Sequence, residues 1–145
     1  MRRKDIRLKD YDYKNDGYYF VTICTNYRKP YLEDDSTHKI VVAELALLKE
    51  RFSGLTIDYF ILMPTHAHII FILENSSYPL NRIIQAFKSI TTLKAKQALQ
   101  LQFGERLWQP NYYEHIIRNE KAVYMIRKYI QENREKESIN LGSVY

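Results

Sequence analysis

Two apolar runs, residues 56–63 and 66–73, are separated by only Pro64 and Thr65. Both are short and rich in β-branched and aromatic side chains, so they read as strands rather than helices. Near-continuous apolarity predicts that both lie centrally in a sheet, covered on each face. A chain with such a pair needs apolar surface elsewhere to cover it. Of its 145 residues, 46% are apolar, enough for a packed core and too many for a disordered chain.

The remaining elements follow from periodicity. Residues 18–25 (YYFVTICT) read as a strand, and 26–35, with Pro30, as a loop. From 39 to 52, Val41, Leu45, Leu48 and Phe52 recur at three and four, which predicts an amphipathic helix closed by Gly54. A long helix is expected over 80–101, with Leu80, Ile84, Phe87, Thr91, Ala95 and Ala98 along one stripe. A strand over 111–118 and a helix over 120–136, with Val123, Ile126 and Ile130 inward, complete the chain. The order β-α-β-β-α-β-α matches an α+β, ferredoxin-like (split βαβ) plan: a four-stranded antiparallel sheet with helices on one face, plus a C-terminal helix. Without repeats or a Pro/Gly-rich linker, residues 1–145 read as a single domain.

Charge and cysteine narrow the function. A net charge of +5 favours a polyanionic partner. Arg82, Lys88, Lys94, Lys96 and Arg118 are candidate phosphate contacts, as are Lys4, Arg7 and Lys9 near the N-terminus. For each such lysine taken singly, a solvated helix face is the more ordinary role. Cys24 is the one cysteine, so an intramolecular disulfide and a cysteine-based zinc site are excluded; it reads as a small buried hydrophobe. No stretch approaches the length of a membrane span, and the N-terminus lacks the pattern of a signal peptide. A cytoplasmic location is expected.

The chemistry concentrates in Met63-Pro64-Thr65-His66-Ala67-His68. On a strand, residues i and i+2 share a face, so His66 and His68 can converge on one divalent cation while Ala67 faces the opposite way. The alternative is that both histidines cap the strand end and bond to backbone or water. Two histidines make an incomplete metal site. The last helix offers Tyr129 and Asn133, spaced i, i+4 on one face. An amide oxygen suits Mg²⁺ or Mn²⁺, and a phenol can attack phosphorus. Tyr129 could equally be a core-edge residue, since 13 tyrosines make such a pairing easy by chance.

The segment MPTHAHIIFIL resembles the HUH motif, histidine-hydrophobic-histidine, of single-tyrosine transposases. The stretch Leu107-Trp108-Gln109-Pro110-Asn111-Tyr112-Tyr113-Glu114-His115-Ile116-Ile117-Arg118, with Tyr129-Ile130 and Asn133 beyond it, is similar to the REP-associated tyrosine transposases. The resemblance implies His66, His68 and Asn133 as ligands of a divalent cation and Tyr129 as the nucleophile. It implies cleavage and rejoining of single-stranded, hairpin-forming DNA through a 5′-phosphotyrosine, in the bacterial cytoplasm at the nucleoid. Monomer and homodimer both fit it. The chain departs from the family pattern after Asn133, where Arg134-Glu135-Lys136-Glu137 replaces the usual proline and K-x-G-like turn. Two other functions suit the same fold: a non-catalytic nucleic-acid-binding module, and a metal-dependent nuclease that activates water. Glu114, His115 and Arg118 match family positions without an assignable role, and Trp108 reads as a packing residue.

Overall fold

The computed structural model describes residues 15–133. Its strands are β1 (Gly17–Cys24), β2 (Leu55–Met63), β3 (His66–Leu73) and β4 (Tyr113–Ile117); its α-helices are α1 (Asp35–Arg51), α2 (Leu80–Leu99) and α3 (Glu120–Asn133). Two short 3-10 turns, Asn26–Arg28 and Tyr31–Glu33, join β1 to α1. The strands pair in the order β2-β3-β1-β4, all antiparallel. Each βαβ unit is therefore split by a strand of the other, as the element order leads one to expect. Lys4, Arg7 and Lys9, and the expected extension of the last helix to residue 136, lie outside the described residues.

Alternation along β1 and β3 divides the core in two. Tyr19, Val21, Ile23, Ala67, Ile69 and Phe71 face one side, where α1 and α2 cover them. Phe20 and Ile70 face the other, against Val123 and Ile130 of α3. The sheet is thus buried on both faces, α1 and α2 on one and α3 on the other.

β3 is central and almost wholly buried, but β2 is an edge strand, contrary to the expectation from its apolarity. The reason lies at Asp58. The β2–β3 register slips between Ile57 and Tyr59, so Asp58 is the extra residue of a β-bulge. Before it, Leu55 and Ile57 face the α1/α2 core; after it, Phe60 and Leu62 do, while Ile61 and Met63 turn to the α3 side. The extra residue thus swaps the faces that the later residues address, and β2 supplies apolar side chains to both.

Helix α1 begins four residues before its apolar periodicity. Asp34 caps it, accepting from the Thr37 amide and hydroxyl at 2.9 Å each. In α2 the stripe is slightly rotated from expectation: Ile83 is buried and Ala98 exposed. Trp108 packs against Phe87, and its indole N–H donates to Thr91 Oγ1 at 2.9 Å, as a packing residue should.

Gly54 lies in the turn into β2, with φ +86°, rather than at the helix cap, where extended Phe52 ends α1. A Cβ there would sit 2.5 Å from the Glu74 carbonyl oxygen. Neither the backbone angle nor that carbonyl can yield cheaply. We expect Gly54→Ala to cost about 1–3 kcal/mol, seen as a lower denaturant midpoint at unchanged m-value.

Candidate active site

The β1–β3 register sets His66 opposite Cys24 and His68 opposite Thr22. On the other flank, Met63 and Ile61 pair with the same two histidines. Since Ala67 lies at the α1/α2 face, both imidazoles occupy the α3 face. Their ring centroids are 4.9 Å apart at an interplanar angle of 73°. His68 also stacks on Phe20, 5.5 Å between centroids. His66 is 6% exposed and His68 0%.

Each ring has one nitrogen satisfied. His68 Nδ1 lies 2.9 Å from Thr22 Oγ1, and His66 Nδ1 3.0 Å from Thr65 Oγ1. Both Nε2 atoms are buried without a protein partner. A buried polar atom left unpaired costs on the order of 1–3 kcal/mol, so two side by side need an explanation. Burial, reinforced by the nearby Arg28 guanidinium, lowers the His66 pKa to about 4. Burial and His66 itself lower that of His68 to about 3. Both rings are therefore neutral at pH 7, and in the tautomer that donates Nδ1–H to threonine each Nε2 carries the lone pair. Neutral imidazoles tied back through the other nitrogen are the form in which histidine binds a metal. The donor set fits a divalent cation. Among the described residues no group of three or more His, Cys, Asp or Glu assembles, so further ligands would have to be an amide, water or substrate oxygen.

Helix α3 covers this face. β4 ends with Ile117 beside Tyr18, at the end of the sheet remote from the histidines. From there α3 runs for 14 residues, about 20 Å, with Val123 and Ile130 packed on the face that carries Phe20 and Ile70. Its last turns carry Tyr129, half-buried against the cluster of Phe20, Ile61, Met63 and Ile130. Asn133 ends the helix; its side chain lies outside the description. Arg127 pins α3 down: its Nε and Nη2 donate to the two Asp58 carboxylate oxygens at 3.1 and 2.5 Å. The bulge that redirects β2 thus also presents the carboxylate that docks the tyrosine helix.

The cations expected at phosphate sit on α2 and just beyond β4. Lys88 donates to the carbonyls of Gln109, Pro110 and Asn111 at 2.8–3.2 Å, fastening the segment before β4. Lys94, with Arg51, pairs with buried Glu44 between α1 and α2. Arg82 lies over the Tyr78 ring, and exposed Arg118 sits beyond β4 at the end of the sheet remote from the histidines. Tyr112 packs toward the α1/α2 core, its phenol pushed up to about 12 by burial and Glu114. Tyr113 and His115 pair with Thr22 and Phe20, so they share the histidine face. Thr22 and Thr65, which orient the rings, were the residues sequence reading missed. The signal for Thr22 was faint but present: a lone polar residue in step with Phe20 and Cys24 along an apolar strand.

Chains of known structure share this architecture. A REP-associated tyrosine transposase, solved bound to a REP hairpin, superposes with a TM-score of 0.66 over 91% of this chain and 74% of its own, at 21% identity. A candidate transposase of Deinococcus radiodurans R1 gives 0.57 over 87% and 95%, also at 21% identity. The fold is that of tyrosine transposases. Residues 13–133 match the family described as IS200-like transposases, and the chain belongs to that family. An uncharacterized protein of Haemophilus influenzae is 31% identical over 90% of this chain and 87% of its own length.

The histidine pair carries a pH signature. In the unfolded chain both rings take up protons near pH 6.5; in the fold they resist until about 4 and 3. The unfolded state therefore binds more protons between those limits, and stability falls as pH drops from 6.5 toward 3. His68→Leu removes the larger of these penalties. In chelator, its melting temperature should decline less steeply between pH 7 and 4.5 than that of the wild type.

Proposed function

We propose that this transposase cuts and rejoins single-stranded DNA through a 5′-phosphotyrosine on Tyr129, with Mg²⁺ or Mn²⁺ held by His66, His68 and Asn133. The observation that carries the reading is the pair of neutral, unpartnered Nε2 atoms on the sheet face that α3 and Tyr129 cover. When bound, such a cation supplies Lewis-acid polarisation of the scissile phosphate.

The chain's own groups do the rest. Thr22 and Thr65 fix the imidazole orientations, and Asp58 holds α3 through Arg127. The Tyr129 phenol gives up its proton, its oxygen bonds to phosphorus, and the P–O3′ bond breaks. The departing 3′ oxygen takes a proton, leaving a free 3′-OH on one fragment and a 5′-phosphotyrosine on the other. One phosphate ester is exchanged for another, so a second 3′-OH reverses the step without ATP. A hairpin-forming DNA substrate is in keeping with the hairpin-bound neighbour, and DNA of the bacterial nucleoid with a cytoplasmic enzyme. No helix among the described residues is long and apolar enough to cross a membrane.

Incubating the protein with 3′-labelled single-stranded DNA and Mn²⁺ should yield a denaturation-resistant adduct on a gel. Tyr129→Phe should abolish it while leaving DNA binding within about twofold, since binding rests on phosphate and stacking contacts. Tyr59→Phe and Tyr113→Phe, which alter the other phenols flanking the histidine pair, should retain it. Cleavage without an adduct would point to water as nucleophile; an adduct lost only in Tyr113→Phe would move the nucleophile.

The metal half is checked separately. His66→Ala or His68→Ala should abolish cleavage, and Asn133→Ala should be partly rescued by more Mn²⁺. Thr22→Val should raise the Mn²⁺ concentration needed by about 10–100-fold, measured by titration of activity. Divalent-dependent cleavage surviving in the double histidine variant would refute this assignment.

A further inference from the structure

The loop that follows β1 is strained without any visible return in packing. Tyr27 and Arg28 have φ of 55° and 53°, consecutive left-handed residues that are not glycine. Tyr27 is 82% exposed, so its ring is not what holds the loop. Hydrogen bonds hold it instead. The Arg28 amide donates to Thr25 O at 3.0 Å and the Lys29 amide to Asn26 O at 3.2 Å. The buried Thr25 hydroxyl lies 2.7 Å from the Lys29 carbonyl and 3.0 Å from that of Thr65. Thr65 is also the residue whose hydroxyl meets His66. The loop and the first histidine are thus anchored to one residue, and the strained shape is kept in fixed relation to the site.

The strain aims a cation. Arg28 Nη1 lies 3.4 Å from Cys24 Sγ, and Cys24 is the residue directly across β1–β3 from His66. A thiol kept neutral by burial does not offset a guanidinium charge. A guanidinium beside the neutral His66 imidazole suits a phosphodiester oxygen pair, and an adjoining, largely exposed phenol ring suits an unstacked base.

We propose that residues 26–29 form a binding site for single-stranded DNA at the edge of the histidine pair. Arg28 grips a backbone phosphate next to the scissile one, and Tyr27 stacks on the neighbouring base. The assignment rests on the single-strand reading above, and its test is built to fail separately from it.

Fluorescence anisotropy with a labelled oligonucleotide, in chelator and across a salt series, reads binding without chemistry. Arg28→Gln should weaken binding roughly fivefold to tenfold and lower the slope of log affinity against log salt by about one. Arg28→Lys should keep the slope but recover only part of the affinity. Tyr27→Gly should raise the melting temperature by releasing strain, yet weaken binding about fivefold or more. A merely structural tyrosine would give the first effect without the second. If wild type forms the adduct while these variants bind like it, the loop assignment is overturned and the tyrosine reading stands. If wild type binds DNA but forms no adduct, the tyrosine reading falls, and weakened binding in the variants still supports the loop. Absence of single-strand binding by wild type overturns the loop assignment outright.

Discussion

Burial of β3 on both of its faces is the condition on which the rest of the molecule depends. A central strand of this kind must find two covering layers, which here are α1 with α2 on one side and α3 on the other. Two histidines at the head of such a strand are costly guests, because desolvation acts on every polar nitrogen they carry. The threonines at 22 and 65 satisfy one nitrogen of each ring, and the second nitrogen is left buried without a protein partner. Apolar packing, not a cluster of charges, creates the donor pair. Burial keeps the rings neutral, and Phe20 stacks on His68.

Placement of the tyrosine helix is a second-order consequence of the sheet. The chain leaves β4 at the remote end, and α3 packs on the face that carries Phe20 and Ile70, with Tyr129 at the border of that apolar cluster. Apolar contact at Val123 and Ile130 sets the depth of the helix, and the Arg127–Asp58 fork restrains its sliding and rotation.

Much of this was legible in the residues. The strand and helix periods gave the element order, and strict alternation along 66–73 gave the opposite facing of His66 and Ala67. The i, i+4 spacing put Tyr129 and Asn133 on one helix, and only the family resemblance gave them roles. What was not legible depended on partners distant in sequence. The Thr22–His68 contact spans 46 residues and needs the β1–β3 register to be known. The edge position of β2 was hidden because its apolar side chains serve both faces of the sheet, so it reads as a continuous apolar run. Lys88 and Lys94 look like solvated helix cations in sequence, yet carbonyl and carboxylate partners 21 and 50 residues away employ them.

The bulge at Asp58 has one more effect, on what the sheet does toward other molecules. An edge strand offers a row of unpaired amides and carbonyls on which a strand from another chain can grow. In β2 that row is broken mid-strand, and the residue at the break carries a charge already committed to α3. An incoming strand in regular register would lose pairing at the bulge and meet a helix-bound carboxylate there. The β2 border is therefore poorly suited to templating edge-to-edge aggregation, a protection built from the same residue that docks α3 through Arg127.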